Sequence, residues 1–265
     1  MDDFELDPTY SEYKCGWTKE AHDERDRKYA SVRHLEIPES LPSEVSLLAH
    51  CNSAFDQGQS SSCVGNATAG AITYLRNKEV DLIDWTASRM YIWYMTRKLE
   101  GNEAIDEGCV IRNAIKTTAK LGVPPEDEWP FDLTKVAEEP SAEVQSHALT
   151  HKTYNYYKVD WTDLREVKGC LAAGFPIVFG FMVPPKFMSK QVAQTGILEM
   201  ITDPNTKFNG GHAVLAVGYS DERQAVLVRN SWGSKWGLNG NFWMPYEYIT
   251  DPHLSDDFWT IRATY

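Results

Sequence analysis

The periodicities of this chain are segregated, and that segregation restricts its fold more than any other feature. Helical patterns crowd the first half and strand-length apolar runs crowd the second. Residues 67–76 are rich in helix formers, with Ser62 and Asn66 both available as caps. Residues 87–99 place Met90, Trp93 and Tyr94 at buried-face spacing, and 111–121 form a third helical pattern closed by Gly122. The second half instead offers β-branched and aromatic runs at 176–183, 213–219, 225–230, 240–245 and 258–262. Helices early and strands late predict an α+β fold with separate layers, not an alternating parallel sheet. The helical half then spans about residues 50–135 and the β-rich half about 150–265. A cleft between them is the natural place for a site.

The 265 residues, 42% of them hydrophobic, are enough for a sizeable core. A formal charge of −12 with no basic stretch argues against nucleic acid. No run approaches the length of a membrane span, so a membrane partner is not expected and the chain reads as a monomer. The opening residues lack a basic region and an apolar core, which predicts a cytoplasmic protein or export without a classical signal peptide. Cys15, Cys51, Cys63, Cys109 and Cys170 form no Cys-x-x-Cys pair, so no metal or other cofactor is expected. Reduced thiols are expected, with Cys170 buried in a helix.

Three segments carry chemistry. Cys63 ends the polar run Asp56-Gln57-Gly58-Gln59-Ser60-Ser61-Ser62 and stands at a helix start, where the dipole and free N–H groups favour a thiolate. Most single cysteines are merely small buried hydrophobes, but this polar approach counts against that reading. His212 follows Gly210-Gly211 at the head of a strand and could take the thiol proton. Asn230 ends a strand, where it is either an Asx-type turn or the acceptor that orients an imidazole N–H. Trp232 could cover that bond from water, or simply fill the core. Gln57, six residues before the thiol, could aim its amide at a developing oxyanion beside the Cys63 N–H.

The run Gln57–Cys63, the segment Gly211-His212-Ala213, and the block Asn230-Ser231-Trp232-Gly233-Ser234-Lys235-Trp236-Gly237-Leu238-Asn239-Gly240 resemble papain-like cysteine peptidases, over about residues 41–265. The resemblance implies a helical left domain against a β-rich right domain. It also implies Gln57 as oxyanion donor, Cys63 as nucleophile, His212 as base and acid, and Asn230 as its orienter. Polypeptides are the implied substrates, and endopeptidase action the expectation. Departures are Ser60, where the family usually has a cysteine, Val64 in place of an aromatic residue, and Gly211 before the histidine. These features resemble bacterial or viral branches more than lysosomal ones. Alignment back from Gly122 puts Gly108 and Cys109 at the family's paired glycines, which bind substrate backbone. It also puts Ile111, Gly180 and Ala213 around the pocket for the second residue before the scissile bond. That lining predicts a preference for Leu-, Val- or Phe-like side chains.

Two other classes are weaker. A silent papain-like binding module usually lacks the thiol or the histidine, and both are present. Transglutaminases and CHAP-type amidases lack the Asn-Ser-Trp-Gly block. Residues 1–40 remain. The run Asp23-Glu24-Arg25-Asp26-Arg27-Lys28 reads as solvated, and the plain reading is a loosely packed leader. Yet Leu6, Tyr10, Tyr13, Trp17 and Tyr29 are enough apolar anchors to dock it. It is then either an inhibitory segment in or beside the cleft or a strap around the back.

Overall fold

A computed structural model describes residues 4–32, 37–81 and 85–264. Helix α1 (Cys63–Val80) starts at the thiol itself, four residues earlier than the helix formers alone predict. It is buried along most of its length, as a central helix must be, and packs on α2 (Arg89–Glu100) and on the sheet. Gly65 permits the close approach to α2, because a Cβ there would lie 2.8 Å from Trp93 Cβ. The Ser88 hydroxyl caps α2 by accepting from the Tyr91 N–H, and Gly101 ends it at φ +78°. The third helix, α3 (Ile111–Leu121), ends at Gly122 as its sequence predicts. Fully buried Trp93 and Tyr91 anchor this layer, and truncating Trp93 to alanine would cost about 3–5 kcal/mol.

The remaining elements build the other layer. They are β1 (Glu44–Ser46), α4 (Ala142–Ala148), β2 (Thr153–Lys158), α5 (Leu164–Ala172), β3 (Ile177–Met182), α6 (Lys190–Thr195), β4 (Gly211–Ser220), β5 (Ala225–Arg229), β6 (Asn241–Pro245), α7 (Tyr246–Thr250) and β7 (Ser255–Thr264). The strands form one antiparallel sheet in the order β2-β7-β3-β4-β5-β6. The end of β4 also pairs with β1. The β4 strand is buried from His212 to Ser220 and faces α1, so thiol and imidazole lie at the seam of the two layers. Cys170 is buried in α5 and all five cysteines are free thiols. Over its described residues the leader is packed on the body and not loose. Leu6 bridges to Ser189, residues 14–18 cross the seam, Lys28 bridges to Lys158, and Tyr29 is buried beneath the Arg262 guanidinium.

Candidate active site

The start of α1 puts Cys63 Sγ against the head of β4, where the Ala213 N–H donates to it at 3.4 Å. On the preceding residue, His212 Nε2 and Asn230 Oδ1 are 2.7 Å apart. That contact makes Nε2 the protonated nitrogen and leaves Nδ1 for the thiol side; Nδ1 has no hydrogen-bond partner among the described residues. Asn230 Oδ1 also accepts the Ser231 N–H at 2.8 Å, which holds the amide in place. The Ser231 hydroxyl in turn donates to Gln57 Oε1 at 2.6 Å. Gln57 is therefore oriented by the same block that orients the imidazole; its Nε2 donates one hydrogen to the Ser60 carbonyl at 2.8 Å and has a second for the cleft. Ser231 was not singled out from the sequence, although it sits inside the Asn-Ser-Trp-Gly block. Trp232 is buried, with its ring 5.3 Å from the His212 ring, and shields the histidine from solvent.

The leader fills the cleft in front of these groups. Gln57 Nε2 donates to the Lys14 carbonyl at 3.2 Å, and the Gly16 N–H points at Cys63 Sγ. The Cys109 N–H donates to Gly16 O at 2.9 Å, and Cys109 O accepts from the Thr18 N–H at 3.1 Å. Gly108 must lack a side chain here, because a Cβ would sit 2.3 Å from Gly16 O. The Cys109 side chain is buried. The Trp17 N–H donates to Gly211 O at 2.9 Å, and its ring lies on Gly180, where a Cβ would come within 2.1 Å of Cε2. Ala213 pairs across the sheet with Gly180, and Ile111 is buried at the start of α3. Tyr10 stacks on Trp232 with ring centroids 6.1 Å apart, and Tyr13 tilts on it at 5.4 Å.

The pocket under Trp17 is not purely apolar, contrary to the expectation from Ile111, Gly180 and Ala213. Asp257 lies in it, 1% exposed, and Oδ2 accepts from Trp17 Nε1 and from the Glu20 N–H, each at 2.9 Å. Burial, with the Glu20 and Asp256 charges, pushes its carboxyl up to about 7. No sequence pattern marks Asp257, since an acid between Asp256 and Phe258 at a strand start normally faces water.

Covered in this way, the thiol and imidazole are each pushed by burial toward the uncharged form. Burial pushes Cys63 up to about 11, against the opposing effect of the Ala213, Gly16, Val64 and Cys63 N–H groups. Burial also lowers His212 to about 4, although Asn230 favours the imidazolium. Both shifts oppose the thiolate–imidazolium pair that the sequence predicts for an open cleft.

Residues 41–251 match the family described as papain family cysteine protease. An uncharacterized peptidase C1-like protein of Acanthamoeba polyphaga mimivirus is 40% identical over 226 residues, covering 83% of this chain and 72% of that protein. The crystal structure of xylellain, a cysteine protease from Xylella fastidiosa, is 34% identical. It superposes with a TM-score of 0.85 over 99% of this chain and 98% of its own. Digestive procathepsin L2 proteinase of Tenebrio molitor larval midgut, 18% identical with a TM-score of 0.76, shares the fold over 98% of this chain and 84% of its own.

Proposed function

This chain belongs to the papain family and is a cysteine peptidase; within that family we propose that Cys63 is its nucleophile, His212 its base and acid, Asn230 the orienter, and Gln57 an oxyanion donor. The observation that carries this reading is the His212–Asn230 contact of 2.7 Å, which leaves Nδ1 without a protein partner while the Ala213 N–H, on the next residue, donates to Cys63 Sγ. Cys63 Sγ adds to the scissile carbonyl carbon, and its proton passes to Nδ1. The oxyanion is held by Gln57 Nε2–H and the Cys63 N–H. The C–N bond then breaks as Nδ1 protonates the leaving amine. Water, deprotonated by His212, attacks the thioester, so that a carboxylic acid leaves and the thiol returns.

Residues 1–40 act as an intramolecular inhibitor of the 41–265 peptidase domain. Support comes from Lys14 to Thr18, which take up the Gln57, Cys109 and Gly211 bonds that a polypeptide substrate would use. Five free thiols favour work in a reducing compartment, and no described helix is long and apolar enough to cross a membrane. The reading is tested by titrating the thiol with an epoxysuccinyl reagent after leader displacement. Labelling should be stoichiometric and lost in Cys63→Ala, and a folded Cys63→Ala or His212→Ala protein should hydrolyse no peptide. Residual hydrolysis in folded Cys63→Ala would overturn the assignment.

A further inference from the structure

The leader carries a thiol of its own over the thiol it covers. Cys15 stands between Lys14, whose carbonyl accepts from Gln57 Nε2, and Gly16, whose N–H points at Cys63 Sγ. Its Cα is thus two covalent bonds from a nitrogen aimed at the Cys63 sulfur. Gly210 makes room for the Cys15 side chain, because a Cβ there would stand 3.1 Å from Cys15 Cβ and 3.9 Å from its Sγ. Three residues on, the Ala213 N–H donates to Cys63 Sγ at 3.4 Å, so both sulfurs lie against residues 210–213. Both are free thiols. The main-chain bonds of residues 14–18 are made by the neighbours of Cys15, and they call for no thiol at that position.

We propose that Cys15 and Cys63 are a peroxide-responsive pair, joined under oxidising conditions by a disulfide that fastens the leader over the cleft until it is reduced. Its regulatory meaning rests on the inhibitory reading of the leader; the bond itself does not. While the cleft is covered both thiols are slow to react. Burial, and then the Cys63 charge, pushes Cys15 up to about 12, and burial pushes Cys63 up to about 11. When the leader lifts, Cys63 gains water and the His212 base. Its thiolate attacks one oxygen of a hydroperoxide, the O–O bond breaks, and a sulfenic acid forms as hydroxide leaves. The returning leader brings Cys15 to that sulfur. The Cys15 sulfur attacks, the S–O bond breaks, and the departing hydroxide takes the Cys15 proton as water. Two thiols and one hydrogen peroxide thus become one disulfide and two waters. Cys109 is the rival partner: burial, then the Glu100 and Cys63 charges, raise its thiol, so it too lies near Cys63. A Cys63–Cys109 bond would leave the leader free.

The full reduced chain is treated with limiting hydrogen peroxide, its remaining thiols are alkylated, and a digest without reductant is mapped by mass spectrometry. The Cys15–Cys63 linked peptide should be the major disulfide and should disappear with dithiothreitol. In Cys15→Ser the sulfenic acid has no leader thiol to meet and passes on to sulfinic acid. Epoxysuccinyl labelling of Cys63 after dithiothreitol should then be at least about tenfold lower than in the unmodified chain. Gly16→Ala keeps both thiols but displaces the leader, since its Cβ would stand 2.0 Å from Ser61 O, and the linked peptide should largely be lost. Oxidation of Cys63 without the Cys15–Cys63 peptide, a Cys63–Cys109 bond in its place, or an equal yield in Gly16→Ala overturns the inference. The map of the unmodified chain decides the first two of these whether or not the variants fold. Peptide hydrolysis by a chain that forms no such bond leaves the peptidase reading intact. The bond in a chain that hydrolyses no peptide after reduction and leader displacement supports the pair and overturns that reading instead.

Discussion

Two stretches of the leader grip the body by different means. Lys14 to Thr18 dock mainly through main-chain groups: the carbonyls of Lys14 and Gly16 accept, and the N–H groups of Gly16, Trp17 and Thr18 donate, with the Trp17 indole and Lys14 ammonium adding side-chain contacts to Asp257 and Asp106. Glu20 to Asp26 dock mostly through the Glu20 and Asp26 side chains, with the Ala21 carbonyl and the Glu20 N–H as main-chain contacts. Arg112 Nη2 donates to Glu20 Oε1 at 3.0 Å, to Ala21 O at 2.8 Å and to Asp26 Oδ2 at 2.6 Å. Lys158 Nζ is 2.7 Å from the same Glu20 oxygen, and Trp259 Nε1 donates to Glu20 Oε2 at 3.2 Å. Main-chain contacts are open to any extended polypeptide, so the first stretch competes with substrate on equal terms. Side-chain contacts are specific, so the second supplies affinity that an ordinary substrate lacks. On the proposed inhibitory reading, a short leader draws on both.

The largest effect should come from breaking the first stretch. Gly16→Ala cannot occupy the cleft path, and the pocket regains water. Burial pushes the Cys63 thiol up to about 11 in the covered chain, so little of it is ionised at pH 7. Because the thiol value is raised, reactive thiolate is scarce at neutral pH and grows as pH climbs toward 11. Alkylation of the unmodified chain by iodoacetamide should therefore rise steadily through the alkaline range. In Gly16→Ala it should plateau near neutrality and be at least about 10²-fold faster at pH 7. Identical profiles for the two proteins would mean that the leader does not cover the thiol.

A second effect separates what leader and substrate share. Gln57 Nε2 serves the Lys14 carbonyl in the covered chain and, on the proposed mechanism, the oxyanion in the open one. In a Gly16→Ala background, Gln57→Ala should lower kcat by about 10²-fold with little change in KM, because the oxyanion exists only along the reaction path. A change confined to KM would assign Gln57 to ground-state binding alone.

The same contrast explains what could be read in advance. His212, Asn230 and Gln57 are brought together by side-chain chemistry at fixed points of the chain, so their motifs carry a visible signal. Helix α3 keeps its predicted bounds because its apolar face is strongly periodic and Gly122 stops it. The path of Lys14 to Thr18 was open between cleft and strap, since backbone hydrogen bonds leave no pattern in residue identity. Asp257 escaped notice because its burial depends on Trp17, far away in sequence. Strand β2 was missed because its burial does not alternate, and Asn155 at φ +54° interrupts the pleat.

The smallest of these effects, and the most direct probe of the second stretch, is Glu20→Gln. The Glu20 side chain is 1% exposed, and its partners Arg112 and Lys158 are 10% and 18% exposed. A buried acid with two cations and an indole N–H is satisfied as a unit, and neutralising it leaves Lys158 without its charged partner. Arg112 keeps Asp26 at 2.6 Å, so the leader loses only part of its hold. The glutamine oxygen can still accept one bond, which limits the loss further. Turnover of the intact chain should rise by roughly tenfold, the worth of one charge-assisted hydrogen bond. Added salt should raise turnover of the unmodified chain far less than the substitution does, because buried pairs are weakly screened. In Gly16→Ala the same substitution should add little, since the cleft is already clear. An equal tenfold gain in both backgrounds would show that Glu20 acts on the peptidase itself and not through the leader.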